Sequence, residues 1–316
     1  RQGIPYASIP AAGVHGVGLR TLPKNIIKLM RGVFASLKTL RKFKPDVLFF
    51  TGGYVAVPMA LAGIRIPSLL YVPDIEPGLA LKALAWFADK ITVSAPASTA
   101  YFSRTDRIVE TGYPTRTDLA QWDKASAREK LKLDAEKPVL LVFGGSKGAQ
   151  SINNALLANL PALLERTQIV HISGKLDWIR VQNARNALKR NQAKKYRVFD
   201  YLHEEMGAAL ASADLVVSRA GASSLGEFPL FGLPALLVPY PYAWRYQKVN
   251  AEYLQEKGAA MMVRDETLEE RLIPLVDELL ENPQKLEAMR TAMKEIARPN
   301  AAENIAVELL ALARKR

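Results

Sequence analysis

Cysteine is absent from this 316-residue chain. That excludes disulfides, a thiol nucleophile and any cysteine-bound metal, and it suits a reducing compartment. Histidine is nearly as scarce: His15, His171 and His203 stand far apart, which argues against a zinc site. No apolar run approaches the ~20 residues that span a bilayer, and the opening residues do not form a secretory signal. Acidic residues are missing from the first 45 positions, which hold nine Lys and Arg. The net charge of +12 is therefore uneven, with only +3 over the remaining 271 residues. Charge so concentrated points to an anionic surface, either lipid headgroups or nucleic acid. Nucleic acid fits less well, because aromatic and basic residues are not interleaved on a strand platform.

Length fits two domains, and 49% hydrophobic residues describe a globular chain. Short β-rich apolar runs alternate with helical patterns, the signature of βαβ units and an α/β fold with parallel sheets. The first series has strands at 47–50, 68–72 and 91–93, with helices at 23–43, 57–62 and 79–88. The second has strands at 139–143, 168–172, 197–199, 215–217, 235–238 and 260–263. Amphipathic helices at 267–281, 283–296 and 301–316 close the chain. Six strands make a complete doubly wound sheet, whereas the first series falls short of one. With Arg1 rather than Met at its start, the chain is expected to lack the first strands of that domain. The expected division is 1–113 and 114–299, with the helix at about 300–316 packing back on the first domain.

The most informative stretch is Ser218-Arg-Ala-Gly-Ala-Ser-Ser-Leu-Gly-Glu227. An apolar run precedes it, and its small residues read as a tight turn into a helix. Such a turn aims several backbone N–H groups, and a helix dipole, at one anion. Glu227, about one turn into the helix, sits where a carboxylate reaches a ribose, so a diphosphate-linked nucleotide suits the whole. Small residues also serve plain helix–strand packing. Val142-Phe-Gly-Gly-Ser-Lys-Gly-Ala-Gln150 likewise closes a strand and opens a helix. Gly144, Gly145 and Gly148 admit close backbone approach, and Ser146 adds a hydroxyl; the spacing lacks the P-loop ending, so ATP hydrolysis is not indicated. Gly52, Gly53 and Tyr54 form a third strand-end loop.

Arg116 is a candidate cation for a phosphate across a cleft, or a hinge-region surface charge. Gln247 and Asn250 carry amides that suit sugar hydroxyls, or an N-cap. Asp74 and Glu76, two apart, need not face the same way, which gives a two-carboxylate hydrolase little support. His171 reads as a core histidine and His203 as a sheet-rim residue.

Taken in order, Thr51–Tyr54, Gly112–Arg116, Gly144–Ala149, Arg219–Ala222 with Glu227, Gly232–Ala235 and Gln247 to Ala251 resemble the MurG family over nearly the whole chain. That family transfers N-acetylglucosamine from its UDP form to lipid I, giving lipid II, a step of peptidoglycan synthesis. The resemblance implies a GT-B fold, with two Rossmann-like domains facing a cleft, inverting transfer and no metal or other cofactor. It makes Glu227 the ribose-hydroxyl acceptor and Gly145 and Ser146 diphosphate ligands with Arg116 nearby. Ala222, Ser223 and Ser224 would present backbone to phosphate and sugar, Leu202 would line the uracil pocket, and Gln247 would contact the sugar, with Asn250 beside it. Acceptor-side loops would be Gly52, Gly53 and Tyr54 with Asp74 and Glu76. Partners implied are a UDP-sugar, a polyprenyl-linked lipid and an anionic membrane, met peripherally from the cytoplasmic face, with no nucleic acid.

Two departures stand out. The family's glycine-rich first loop and its proposed histidine base would precede Arg1, so this chain by itself is expected to bind UDP with little transfer. The family's His-Glu-Gln-Asn segment is replaced by Val72-Pro-Asp-Ile-Glu76, which makes Asp74 a candidate catalytic group. A related enzyme with another lipid acceptor such as diacylglycerol, and a UDP-N-acetylglucosamine 2-epimerase, are the alternatives. The basic start speaks against the epimerase. On the helix at 23–43, Ile26, Met30, Val33, Leu37 and Leu40 form one stripe, expected to pack on the first sheet. Ile27 and Phe34 border a basic face of Lys24, Lys28, Arg31, Lys38 and Lys42, which suits a membrane surface; a solvated basic face is the plain alternative.

Overall fold

The computed structural model describes residues 3–12, 22–145 and 147–314, apart from the side chains of residues 22 and 243–245. His15 and Ser146 lie outside the described residues. The chain divides into two compact units, Arg1–Thr111 with Asn300–Arg316, and Gly112–Pro299.

In the first unit α1 (Leu22–Phe43) leads into β1 (Leu48–Phe50), α2 (Ala56–Ala62), β2 (Ser68–Val72), α3 (Leu79–Ala85), β3 (Lys90–Val93) and β4 (Ile108–Glu110). The strands form a parallel sheet in the order β1-β2-β3-β4. Leu48, Phe50, Leu70 and Val72 on one face meet Ala60 of α2 and Leu81 and Leu84 of α3. Strand β4 was not expected; its three residues follow charged Arg107 and end on Glu110, so they offer no apolar run. Helix α3 ends at Ala85, earlier than expected, leaving Trp86 and Phe87 exposed.

The stripe expected on α1 is split by its packing. Gly32 and Ser36, four residues apart, are the buried positions, and Val33, Leu37 and Leu40 are half-buried beside them. A Cβ on Gly32 would come within 3.2 Å of the Pro58 side chain of α2 and still closer to the Pro10 carbonyl. Small residues thus set the contact line between helices, since the backbone can approach only there. Ile26 and Met30 consequently face solvent, 44% and 56% exposed, together with Ile27 and Phe34 at 59% and 68%.

The second unit continues with α4 (Lys124–Lys130), β5 (Val139–Phe143), α5 (Gln150–Arg166), β6 (Gln168–Ile172), α6 (Trp178–Asn186), α7 (Arg190–Ala193), β7 (Tyr196–Phe199), α8 (Met206–Ser212) and β8 (Leu215–Ser218). It closes with α9 (Glu227–Phe231), β9 (Ala235–Leu237), α10 (Trp244–Glu256), β10 (Ala260–Met262), α11 (Leu268–Leu280) and α12 (Pro283–Ile296). Its six parallel strands run β10-β9-β8-β5-β6-β7. Strands added after β5 grow outward in one direction and those after β8 in the other. That reversal makes β5 and β8 the switch point, where open α/β sheets leave a crevice at the strand C-termini. Helices α5 and α11 seal one face of the sheet through Ile152, Leu156, Leu272 and Val276. The last helix, α13 (Ala301–Ala313), returns to the first unit, where Ile305 and Leu312 cover Leu69 and Tyr71 of β2.

Two strand-end loops of the second unit cross backbone to backbone. Gly148 and Gly174 have φ of 79° and 78°, and a Cβ on Gly148 would lie 2.3 Å from the Ser173 carbonyl oxygen. Only glycine meets both demands, conformation and clearance. Gly148→Ala is expected to destabilise the second unit by about 2 kcal/mol or more. It should appear as a lower urea midpoint at unchanged slope. An unaltered midpoint would show that the loops do not need this contact.

Candidate nucleotide site

The loops that follow β5 and β8 flank a cavity of about 280 Å³ in the second unit. Phe143 and Ile172, the last residues of β5 and β6, form its apolar wall with Leu202 and Met206. Phe143 is held by edge contact with buried Phe228, ring centroids 6.1 Å apart. Arg116, Gly145, Ser223 and Glu227 supply the polar side. One end therefore accepts a flat apolar ring and the other hydroxyls and phosphate, the two needs of a nucleotide.

Glu227 reaches its place by a route that differs from the expected one. The turn after β8 is a 3-10 segment, Ala222–Leu225; Gly226 breaks it, and α9 begins at Glu227. Gly226 is there for clearance, since a Cβ would meet Tyr113 at 2.8 Å. Tyr113 can therefore lie against the turn, which brings Arg116 into the pocket with Glu227. Arg116 is anchored by donating from Nη2 to the His203 carbonyl (2.9 Å), with Asp118 3.5 Å from its Nε. Both partners belong to its own unit. Burial pushes the Glu227 carboxyl above its ordinary range, opposed by the Arg116 charge and a Ser223 hydrogen bond. With its folded-state pKa raised, Glu227 favours folding below its unfolded pKa, and that contribution is lost as pH rises through the folded value. Keeping a carboxylate here at neutral pH therefore costs stability, which fits a group retained for a ligand.

Other expected residues divide. Gly145, with φ of 87°, and Leu202 line the cavity. Ser223 does too, and Ala222 opens the 3-10 turn beside it, where first-turn amides have no helical partner. Ser224 is turned away: buried, it donates its hydroxyl and its amide to the Gly221 carbonyl. Gln247 is engaged locally, its Oε1 accepting from the Tyr240 amide at 2.8 Å. Asn250 is fully buried and donates to the Ala220 carbonyl at 3.1 Å, bracing the turn from behind. In the first unit, Gly52 and Gly53 have φ of 109° and 83° beside exposed Tyr54. Glu76 is buried and paired with Lys82 at 3.3 Å, which is a structural role; Asp74 is half-buried on the same loop.

His171 is a core histidine, as its strand position suggested. The Asn153 amide donates to the Ser173 carbonyl (2.9 Å) and the Asp177 carboxylate (2.7 Å), which fixes its oxygen as the acceptor for His171 Nε2–H at 2.9 Å. His171 Nδ1 therefore accepts from the Tyr196 hydroxyl at 2.7 Å. Full burial drives the His171 pKa down to about 3, keeping it neutral. The chain of bonds ties the first turn of α5, and hence the glycine loop, to the end of β6. Ile172 and Met206 were not expected in the site; for Ile172, as for Phe143, position as the final strand residue beside the switch point was the available signal.

Replacing Glu227 tests the polar side. Glu227→Ala is expected to weaken UDP binding by about 1.5–3 kcal/mol in calorimetric titration. Ribose hydroxyls need the carboxylate form, so affinity should fall as pH drops through the raised Glu227 pKa. Glu227→Gln should lack that component, while titration of the UDP phosphate affects both proteins alike. Equal affinities across the pH range would remove Glu227 from the site.

The sequence matches the glycosyltransferase family 28 C-terminal domain over residues 139–305 and the glycosyltransferase family 28 N-terminal domain over residues 1–93. A UDP-N-acetylglucosamine–N-acetylmuramyl-(pentapeptide) pyrophosphoryl-undecaprenol N-acetylglucosamine transferase of Roseiflexus sp. is 37% identical, over all of this chain and 80% of the relative. The transferase of the same name from Desulforamulus reducens is 36% identical over 96% of this chain and 84% of its own. The crystal structure of Acinetobacter baumannii MurG superposes with a TM-score of 0.74 at 26% identity, covering 98% of this chain and 86% of that one. These matches make the chain a member of glycosyltransferase family 28, of the MurG type.

Proposed function

We infer that the protein transfers N-acetylglucosamine from UDP-N-acetylglucosamine to a polyprenyl-diphosphate-linked N-acetylmuramyl pentapeptide, the lipid II-forming step of peptidoglycan synthesis. The observation that carries this is the cavity holding Glu227, Arg116 and Gly145 around one apolar wall, in a chain whose full length aligns with transferases of that name. Uracil lies against Leu202 and Met206, the ribose hydroxyls donate to Glu227, and the diphosphate meets the Gly144–Ala149 loop. As the glycosidic bond to UDP breaks, negative charge builds on the leaving diphosphate. Oriented amides and Arg116 oppose that charge in a partly dry site, without a metal. Ser224 and Asn250 shape the turn that presents these amides. Gly52, Gly53, Tyr54 and Asp74 are assigned to the acceptor side, with Asp74 the first carboxylate to test as base.

The full-length protein incubated with UDP-N-acetylglucosamine should release UDP only when lipid I is present. Release with diacylglycerol in its place would indicate another lipid acceptor, and epimerisation of the sugar nucleotide alone would indicate an isomerase.

We assign membrane contact to α1 and place the enzyme peripherally on the cytoplasmic face. No described helix is long and apolar enough to cross a membrane. Exposed Ile26, Ile27, Met30 and Phe34 stand beside exposed Lys24, Lys28 and Arg31, with Lys38 further along the helix. Apolar groups can enter the acyl boundary while each cation adds about 1 kcal/mol against an anionic surface, less in salt. Co-sedimentation with anionic vesicles should fall as salt rises and should be lost in the triple variant Lys24→Glu, Lys28→Glu, Arg31→Glu, with UDP binding intact. Sedimentation unaltered by those changes would exclude α1 as the contact.

A further inference from the structure

A second cavity in the 112–299 unit, of about 1000 Å³, has no part in the nucleotide site. It lies at the opposite rim of the sheet, where Gln168 opens β6 and Arg197 follows the first residue of β7. Lys132, Lys137, Arg190, Lys194, Lys195 and Arg197 surround it, against a single carboxylate, Asp134. Its net charge of +5 exceeds the +3 of all 271 residues after Pro45, so the rest of that stretch is slightly acidic. Positive charge is gathered here, not scattered.

The gathering is built into the backbone. Helix α4 ends in a Schellman turn, with Lys132 N–H bonded to the Glu129 carbonyl and Leu133 N–H to that of Arg128. The left-handed position in such a turn normally falls to glycine, yet here it is Lys132, with φ of 53°. Arg197 locks this turn by donating to the Leu131 carbonyl (3.0 Å) and to that of Lys132. Burial and the neighbouring Arg185 charge pull the Arg197 pKa below its ordinary range, so a second cation is held close in spite of repulsion. Gln168 clamps the facing loop, accepting from the Asp134 amide at 2.7 Å and donating to the Asp134 carbonyl at 3.0 Å. Asp134 itself is occupied by Lys137 (3.3 Å) and the Glu136 amide. Lys195 donates to the Leu164 carbonyl, a neutral acceptor. Exposed Lys132, Arg190 and Lys194 form no ion pair within the described residues.

The lining also says what does not belong there. Among the described residues no aromatic side chain lines the cavity, so nucleobases have nothing to stack on. Nor does any apolar side chain among them, in contrast to α1, so an acyl boundary has nothing to receive. A compact anion such as phosphate would reach few of six cations spread over two stretches of chain, 132–137 and 190–197. An extended chain of carboxylates can reach all of them, and the Asn191 amide at the rim can give and accept a hydrogen bond with a peptide group. We propose that this basal cavity is a docking site for an acidic, carboxylate-rich segment of a partner polypeptide.

Fluorescence anisotropy of labelled octaglutamate titrated with the full-length protein tests this. The exposed triple variant Lys132→Glu, Arg190→Glu, Lys194→Glu should bind the peptide at least about tenfold more weakly, with UDP affinity and melting temperature unchanged. Added salt should weaken wild-type binding. The α1 variant Lys24→Glu, Lys28→Glu, Arg31→Glu should bind octaglutamate at close to wild-type affinity. Equal peptide binding by the basal triple variant would overturn the proposal. Tighter binding of tripolyphosphate than octaglutamate at this cavity, or loss of anionic-vesicle binding in the basal variant, would also overturn it, assigning the cavity to phosphate or to lipid headgroups.

Discussion

The second unit depends on one buried cation. Arg219, the residue after β8, is 9% exposed and must find acceptors inside the protein. It donates to the Val238 carbonyl (3.1 Å), to Ser151 Oγ on α5 (2.7 Å) and to the Asp265 carboxylate, and it lies over the Tyr240 ring at 5.2 Å. Ser151 donates in turn to Asp265 at 2.8 Å. Four segments are thereby fixed around the switch point: the turn after β8, the end of β9, the start of α5 and the loop after β10. Removing either charge would strand the other in a low-dielectric site, a cost of several kcal/mol. The two loops proposed to carry phosphate and ribose are therefore held by the same guanidinium, and neither can shift without breaking its bonds.

On that frame the site is built from close approaches that side chains would forbid. Gly148 against Ser173 and Gly226 against Tyr113 each leave no room for a Cβ. The first pins the glycine loop to the end of β6, and the second carries Arg116 up to Glu227. The neutral His171 chain reinforces the first contact through Asn153. What results is a half-buried carboxylate beside an arginine that is itself bonded to a backbone carbonyl. Ligand hydroxyls would restore hydrogen bonds that burial has taken from Glu227, which is how a destabilising group becomes a selective one.

Much of this was legible in the chain. Parallel strands with continuous apolar runs, such as β5 and β8, announce themselves by composition, and the glycines after them mark the ligand side of the sheet. Glu227, Gly145 and Leu202, expected together from the family resemblance, line one cavity. What remained hidden depends on contacts between segments far apart in sequence. Nothing local says that Asn250 would be buried behind Ala220, or that Gln247 would be engaged by the Tyr240 amide. Helix α1 misled for a similar reason: its large apolar residues suggested the packed stripe, whereas Gly32 and Ser36 set the contact. Strand β4 was too short and too charged at its borders to stand out.

The central claim is that UDP lies at the switch point of the second unit with its ribose on Glu227. A crystal structure of the protein soaked with UDP tests it most directly. The expected density places uracil against Leu202 and Met206, both ribose hydroxyls within hydrogen-bond distance of the Glu227 carboxylate, and the diphosphate at the Gly144–Ala149 loop. UDP density elsewhere, or a ribose with no contact to Glu227, would contradict it.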